Sequence, residues 1–359
     1  MIRYTFPLCL FVAVFFTTIA GTTQTNAGTW SFAVSGDSRN CGDFVMPAIA
    51  AKVKAEHVAF YWHLGDFRVM GIDPDQDLLA MLPPGKKMDS DEYHRIAWDD
   101  FIARQMAPFG SLPVFLGRGN HDTVAPMTRD GYIAKFASFL NRPEIAAQRK
   151  ADGAQAAPVG PWYHWIEKDV DFITLDNANQ QEFSDAQLKW LRGVLDHDLA
   201  PDSGIHSIVV GMHEALPHST GSEHGMDDWE LGERTGSLVY TWLYDAQAAG
   251  KHVYVIACHS HYYSPDIFDT PYWRQHAWKV VPGQIIGAAG AYRYTLPRGA
   301  KPGAKTHFYG FVQGIVHKDG QIDFALHELS EEDLQEARWP DTPMEAIHDC
   351  FINNGDPVK

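Results

Sequence analysis

The sequence predicts an α/β protein of layered strands and helices, and three observations lead there. Short apolar runs rich in Val, Ile, Phe and Tyr alternate with amphipathic stretches over residues 30–257. Polar and small residues gather where those runs end. Beyond residue 280 the helical signal fades and two longer apolar runs follow, so a second sheet is expected from the late part of the chain.

Strands are expected at 30–35, 58–64, 114–116, 172–175, 208–210 and 253–257, where β-branched and aromatic residues fill short segments. Helices are expected between them at 44–56, 92–106, 132–140, 185–195 and 238–249. Ser184 followed by Gln187 has the spacing of a capping box at the start of the fourth. Gly250 suits the stop of the fifth, because glycine enters the left-handed conformation that ends a helix. The apolar runs at 280–291 and 308–326 read as strands, with Lys318-Asp319-Gly320 as a hairpin turn. Surface loops are expected at 83–91, 152–161 and 298–305. None is long enough to divide the chain, so residues 28–359 read as a single domain: a core at about 30–291, C-terminal strands at 292–330 and a tail at 331–359.

Composition narrows the class. A content of 45% hydrophobic and 21% charged residues excludes a disordered or coiled-coil chain. The net charge of −16 argues against a partner of polymeric nucleic acid, which requires a basic face. It leaves room for an anion held through bound cations. The first 27 residues hold no acidic side chain, and Arg3 precedes an apolar run at 6–16. Thr25-Asn26-Ala27 then offers small residues for cleavage, so residues 1–27 read as a secretory signal peptide. A secreted or periplasmic protein without a membrane anchor is the expectation. Cys41, Cys258 and Cys350 remain after removal of the leader, enough for one bridge and one spare thiol, with the pairing open.

The chemistry lies at the strand ends. The first expected strand runs into Gly36-Asp37, the second into Gly65-Asp66, and the third into Gly117-Arg118-Gly119-Asn120-His121-Asp122. Later strands run into Gly211-Met212-His213 and Cys258-His259-Ser260-His261. Ligands of α/β sheets collect beyond the carboxyl ends of the strands, so these five endings should share one rim. His259 and His261 fall on one face of an extended segment, as two ligands of one centre require. Oxygen and imidazole donors without thiolate suit Zn, Mn or Fe.

These motifs, in this order, resemble the calcineurin-like metallophosphoesterases, the family of purple acid phosphatases and many phosphodiesterases. The likeness runs over about residues 30–291 and includes Leu112-Pro113-Val114-Phe115-Leu116-Gly117, Gln187-Leu188-Lys189-Trp190-Leu191 and Ile286-Gly287-Ala288-Ala289-Gly290. The resemblance implies a β-sandwich of two mixed sheets flanked by helices. It implies a phosphoesterase that hydrolyses phosphate mono- or diesters of small substrates by attack of a metal-bound hydroxide. It also implies two metal ions of divalent or mixed valence, Fe, Mn or Zn. Asp66 would bridge them, Asn120, His213 and His259 would complete one, and Asp37 and His261 would serve the other. His121 would be the general acid or a donor to the leaving oxygen, with Asp122 orienting it.

One position departs from the family. Relatives often carry His two residues after the first Asp, where this chain has Arg39. Purple acid phosphatases place Tyr three residues after the second Asp, where this chain has Val69. The first metal site is therefore expected to be weak or vacant. Arg39 either grips the substrate phosphate, stands in for the metal's charge, or pairs with a loop carboxylate. A noncatalytic phosphate- or partner-binding protein on the same scaffold is the alternative function. His218 is a further expected substrate contact, whereas His224 is expected to be solvated, and His63 and Cys258 structural.

Overall fold

In the computed structural model, residues 28–354 are described, apart from 72, 179–180, 222–223 and 277–278. The expected signal peptide lies outside the described residues. Two mixed sheets form the frame. The first has the order β11-β10-β1-β2-β3, built from Trp30–Ser35 (β1), Tyr61–His63 (β2), Val114–Leu116 (β3), Tyr309–Val316 (β10) and Ile322–Leu329 (β11). The second has the order β4-β5-β6-β7-β9-β8. Its strands are Tyr163–Glu167 (β4), Val170–Thr174 (β5), Ser207–Gly211 (β6), His252–Ala257 (β7), Tyr263–Ser264 (β8) and Gly283–Ile286 (β9).

Only one of the two late apolar runs joins the second sheet, as β9; the other goes to the first, contrary to the expectation. β10 returns antiparallel to β1, from Trp30 opposite Val316 to Val34 opposite Val312, and so extends the first sheet. Most of the second sheet comes from the middle of the chain, with β5, β6 and β7 running parallel to one another and to the late strand β9. The expected hairpin forms, with Gly320 at φ 85° in the turn between β10 and β11.

Alternation along the strands explains how the sheets meet. Phe32, Phe60 and Phe115 from the first sheet face Trp165 and Phe172 from the second. Phe115 stacks on Trp165 with centroids 3.8 Å apart, and Phe172 meets Phe32 edge-on at 4.9 Å. The helix Gly42–Ala55 covers the outer face of the first sheet, burying Phe44, Val45, Ile49 and Val53. Helices Asp185–Asp198 and Glu230–Ala248 bury Leu191, Leu195, Val239 and Leu243 in a second apolar cluster with Ile208, Val210 and Val255. No described helix is long and apolar enough to cross a membrane.

Helix ends follow the local chemistry only in part. Ser184 accepts from the Gln187 amide, as expected, but the Gln187 side chain turns away to pair with the Asp176 backbone. The last long helix begins at Glu230, eight residues before the expected start. The expected 92–106 helix is α-helical over Ser90–Asp100 and then widens into a π-helical stretch over Phe101–Met106. Among the described residues, Cys41 and Cys350 are bonded, with Cα atoms 6.0 Å apart, and Cys258 is a buried free thiol. The bridge ties the turn after β1 to the helix Met344–Asn353.

Candidate metal centre

The five strand endings do converge, and both sheets contribute. Asp37, Asp66 and Asn120 follow β1, β2 and β3, while His213, His259 and His261 follow β6 and β7. The backbone at three of them is unusual. Asp37, Asp66 and His259 have φ of 61°, 59° and 48°, the left-handed region that costs an L-residue about 1–2 kcal/mol. Non-glycine residues held there concentrate at functional sites, where the fold outweighs the strain. Glycine makes the turn at Asp66 possible: Gly65 has φ 109°, and a Cβ there would overlap the backbone of Gly119.

Donor atoms from four residues close on one point. His213 Nε2 lies 3.0 Å from Asn120 Oδ1, 2.9 Å from His259 Nδ1 and 3.4 Å from Asp66 Oδ1. Neighbouring ligands bonded at about 2.1 Å around one ion sit roughly 3 Å apart, so this spacing suits a coordination shell. One donor atom each from Asp37, Asp66, His213 and His259 falls within 4.8 Å of all the others. His213 Nδ1 faces the Leu64 carbonyl at 3.3 Å, which keeps Nε2 aimed inward. Cys258 Sγ lies 3.1 Å from that same Nδ1, on the side away from the centre, and burial pushes its thiol well up. Packing is what it supplies.

Electrostatics test whether a cation fits. Both Asp37 carboxylate oxygens and Asp66 Oδ2 are buried without a hydrogen bond among the described residues. An isolated buried carboxylate is too costly to persist uncompensated. Burial alone would raise both pKa values, yet neighbouring His261 and His213 hold Asp37 below its ordinary value and His213 holds Asp66 well below. Burial likewise opposes charge on His213, but Asp66 overrides it and lifts that imidazole to about 9. The unpartnered oxygens of Asp37 and Asp66, together with the nitrogen and oxygen donors beside them, fit a Zn, Mn or Fe ion.

The other side of the centre is occupied by Arg39, which is 9% exposed. Its Nη2 is 3.1 Å from His261 Nε2, its Nε is 3.7 Å from Asp66 Oδ2, and its Nη1 contacts His121 Nε2. His261 Nε2 also lies 3.3 Å from Asp37 Oδ1. Tyr294, which sequence reasoning missed, stacks on His261 at 4.0 Å and faces Arg39 Nη2 through its hydroxyl at 3.5 Å. A signal for it existed in the alternation of Tyr292, Arg293 and Tyr294 just after the Gly287–Gly290 turn, where Arg293 turns inward onto the Asn354 carbonyl.

Two expectations need correction. Asp122 does not orient His121: its carboxylate accepts from the backbone amides of Asp66 at 3.0 Å, Phe67 at 2.9 Å and Gly119 at 2.7 Å. Burial and nearby Asp66 push it up to about 7 against those donors. The His121 ring is held instead by the Val69 carbonyl at Nδ1. His218 is not brought to the centre either. It stacks on Tyr272 at 3.5 Å, with ring nitrogens 3.4 Å from Asp227 and 3.4 Å from Glu233. His224 is exposed, as expected, and also meets His259 edge-on at 5.6 Å and stacks on Tyr294 at 5.1 Å. His63 is structural as expected: it accepts from the Gly65 amide, and burial lowers it to about 3.

No family model matches the sequence, and no curated protein matches it. Solved structures do. Purple acid phosphatase PPD1 from yellow lupin (Lupinus luteus) seeds is 14% identical with a TM-score of 0.52, covering 87% of this chain and 56% of that one. This chain thus spans little more than half of the lupin protein. PhoD is 13% identical with a TM-score of 0.49, covering 91% of this chain and 78% of its own. A dimetal phosphatase from Danio rerio is 14% identical with a TM-score of 0.48, covering 84% of this chain and 100% of its own. At such identities the likeness concerns architecture. Its two mixed sheets, its flanking helices and its overlap with the lupin enzyme give this chain the calcineurin-like metallophosphoesterase fold.

Proposed function

We propose that the chain is an exported, metal-dependent phosphoesterase that hydrolyses phosphate mono- or diesters of small molecules. One observation carries the proposal: buried carboxylates of Asp37 and Asp66 share a point with Asn120, His213 and His259, at the carboxyl ends of strands from both sheets. Those five residues would hold the ion. When bound, it supplies Lewis-acid chemistry toward water and the phosphoryl group.

The chain's own residues supply the rest. Arg39 presents a fixed cation to phosphoryl oxygens, which its planar fork can grip in pairs. His121 Nδ1–H donates to the Val69 carbonyl, so Nε2 faces the centre and Arg39. A substrate oxygen that takes over the Arg39 donor frees the His121 Nε2 lone pair, which takes up a proton from solvent and then delivers it to the leaving oxygen. Tyr294 flanks His261 and Arg39 and shields that side from water. Export rests on the charged, apolar, small-residue order of the N-terminus and on the Cys41–Cys350 bridge, which suits an oxidising compartment.

The test is turnover of aryl phosphate mono- and diesters by metal-loaded protein, with Asp66→Ala as the control. Turnover by the wild type and loss of both metal and turnover in the variant are expected. Undiminished turnover or full metal content in Asp66→Ala overturns the proposal.

A further inference from the structure

The two-ion centre implied by the fold fits this chain on one side only. Around Asn120, His213 and His259 the donor atoms are free to face an ion. Around His261 they are not. His261 Nδ1 lies 2.5 Å from the Tyr292 carbonyl, and His121 Nδ1 contacts the Val69 carbonyl, so each ring carries its proton there and turns a lone pair at Nε2 inward. Of the two lone pairs, that of His261 is the acceptor a second ion would need. Each already receives an N–H from the Arg39 guanidinium.

We infer that the Arg39 guanidinium takes the place of the second metal ion, so that the centre holds one metal and one fixed organic cation. The inference rests on the phosphoesterase proposal for the same site. Charge favours it. Two carboxylates, one divalent ion and one guanidinium leave a small positive excess that a phosphate can meet. A second divalent ion would lie against a guanidinium that cannot deprotonate, inside a buried pocket where repulsion is little screened.

The backbone holds the side chain in this place. The Arg39 amide donates to the Asp66 carbonyl at 3.2 Å, and Asn40, at φ 70°, donates to Asp75 Oδ1 at 2.6 Å. The next residue is Cys41, which is bonded to Cys350 and donates to the Gly290 carbonyl at 3.2 Å. With Tyr294 packed on His261, the guanidinium is held on both sides and only 9% of the residue is exposed.

Metal analysis of Mn(II)-saturated, gel-filtered protein tests this, together with the electron paramagnetic resonance spectrum of the bound Mn(II). One ion per wild-type chain is expected, with the spectrum of an isolated ion. Arg39→His removes the guanidinium and adds an imidazole, and should bind two ions that give the spectrum of a coupled pair. Two ions in the wild type overturn the inference and leave the phosphoesterase proposal standing. One ion in a folded Arg39→His variant overturns it as well, because the guanidinium is then not what excludes the second. No ion in the wild type removes both proposals together. Should the variant fail to fold, the wild-type count and spectrum still decide.

Discussion

Asp122→Asn separates two roles for a residue that lies directly beneath the centre. Its Oδ2 accepts from the amides of Asp66 and Gly119, and its Oδ1 from the amide of Phe67. Asparagine can keep the two bonds at one oxygen, but its NH2 group then faces a third backbone N–H, donor against donor. Leaving one buried donor unpaired costs about 1–3 kcal/mol, and this is the expected loss in urea unfolding of the metal-free protein. The second effect falls on Asp66, whose left-handed backbone these bonds hold. Partners that orient a metal ligand typically contribute a factor of about 10–100 in affinity, so metal titration should show a loss of that size. Turnover at saturating metal should recover for substrates with good and poor leaving groups alike. If Asp122 instead served His121, the variant would keep its metal affinity and lose rate most with poor leaving groups. That pattern would refute the reasoning.

Three further outcomes are expected. His121→Ala should retain the metal but lose a factor of roughly 10²–10⁴ in rate, more for poor leaving groups; an unchanged rate with an alkyl phosphate would remove it from proton transfer. Cys350→Ser opens a bridge between residues 309 positions apart and should cost about 2–4 kcal/mol of stability, read by urea unfolding against the oxidised wild type. The third concerns His164, which lies 2.8 Å from Asp171 and 3.0 Å from Asp152. Burial opposes its charge, but the two carboxylates lift it to about 10. A folded value above the unfolded one means stability present in full below about 6.5 and lost as pH rises toward 10. The stability gap between wild type and His164→Gln, on the order of a few kcal/mol at pH 6, should therefore close by pH 10, and a constant gap would contradict it.

The centre was legible because its residues are pinned to strand ends. Gly36-Asp37, Gly65-Asp66 and Gly211-Met212-His213 each follow a short apolar run, so their position in the chain gave their position in space. Partners within the centre were not legible, because side-chain pairing depends on rotation about bonds that sequence order does not record. Asp122 sits next to His121 in the chain, yet it turns inward to three amides while His121 turns to Val69. Tyr294 reaches the centre from 33 residues beyond His261, a juxtaposition made by the loop after β9. The sheet assignment failed for a related reason. The run that became β10 has the pattern of any strand, and only its pairing with β1 decides which sheet it joins.

The origin of the proposed ligands in opposite sheets has a thermodynamic consequence. Asp37, Asp66 and Asn120 belong to one layer of the sandwich, and His213 and His259 to the other. An ion held by all five binds only when the layers are in register, so by mass action it stabilises that alignment over every splayed state. At a free metal concentration of 100 times Kd the gain is about 2.7 kcal/mol. The protein would then be a sensor of its own metal supply. Starved of metal, it should be cleaved faster by a protease that needs transient opening, and saturating metal should restore its resistance.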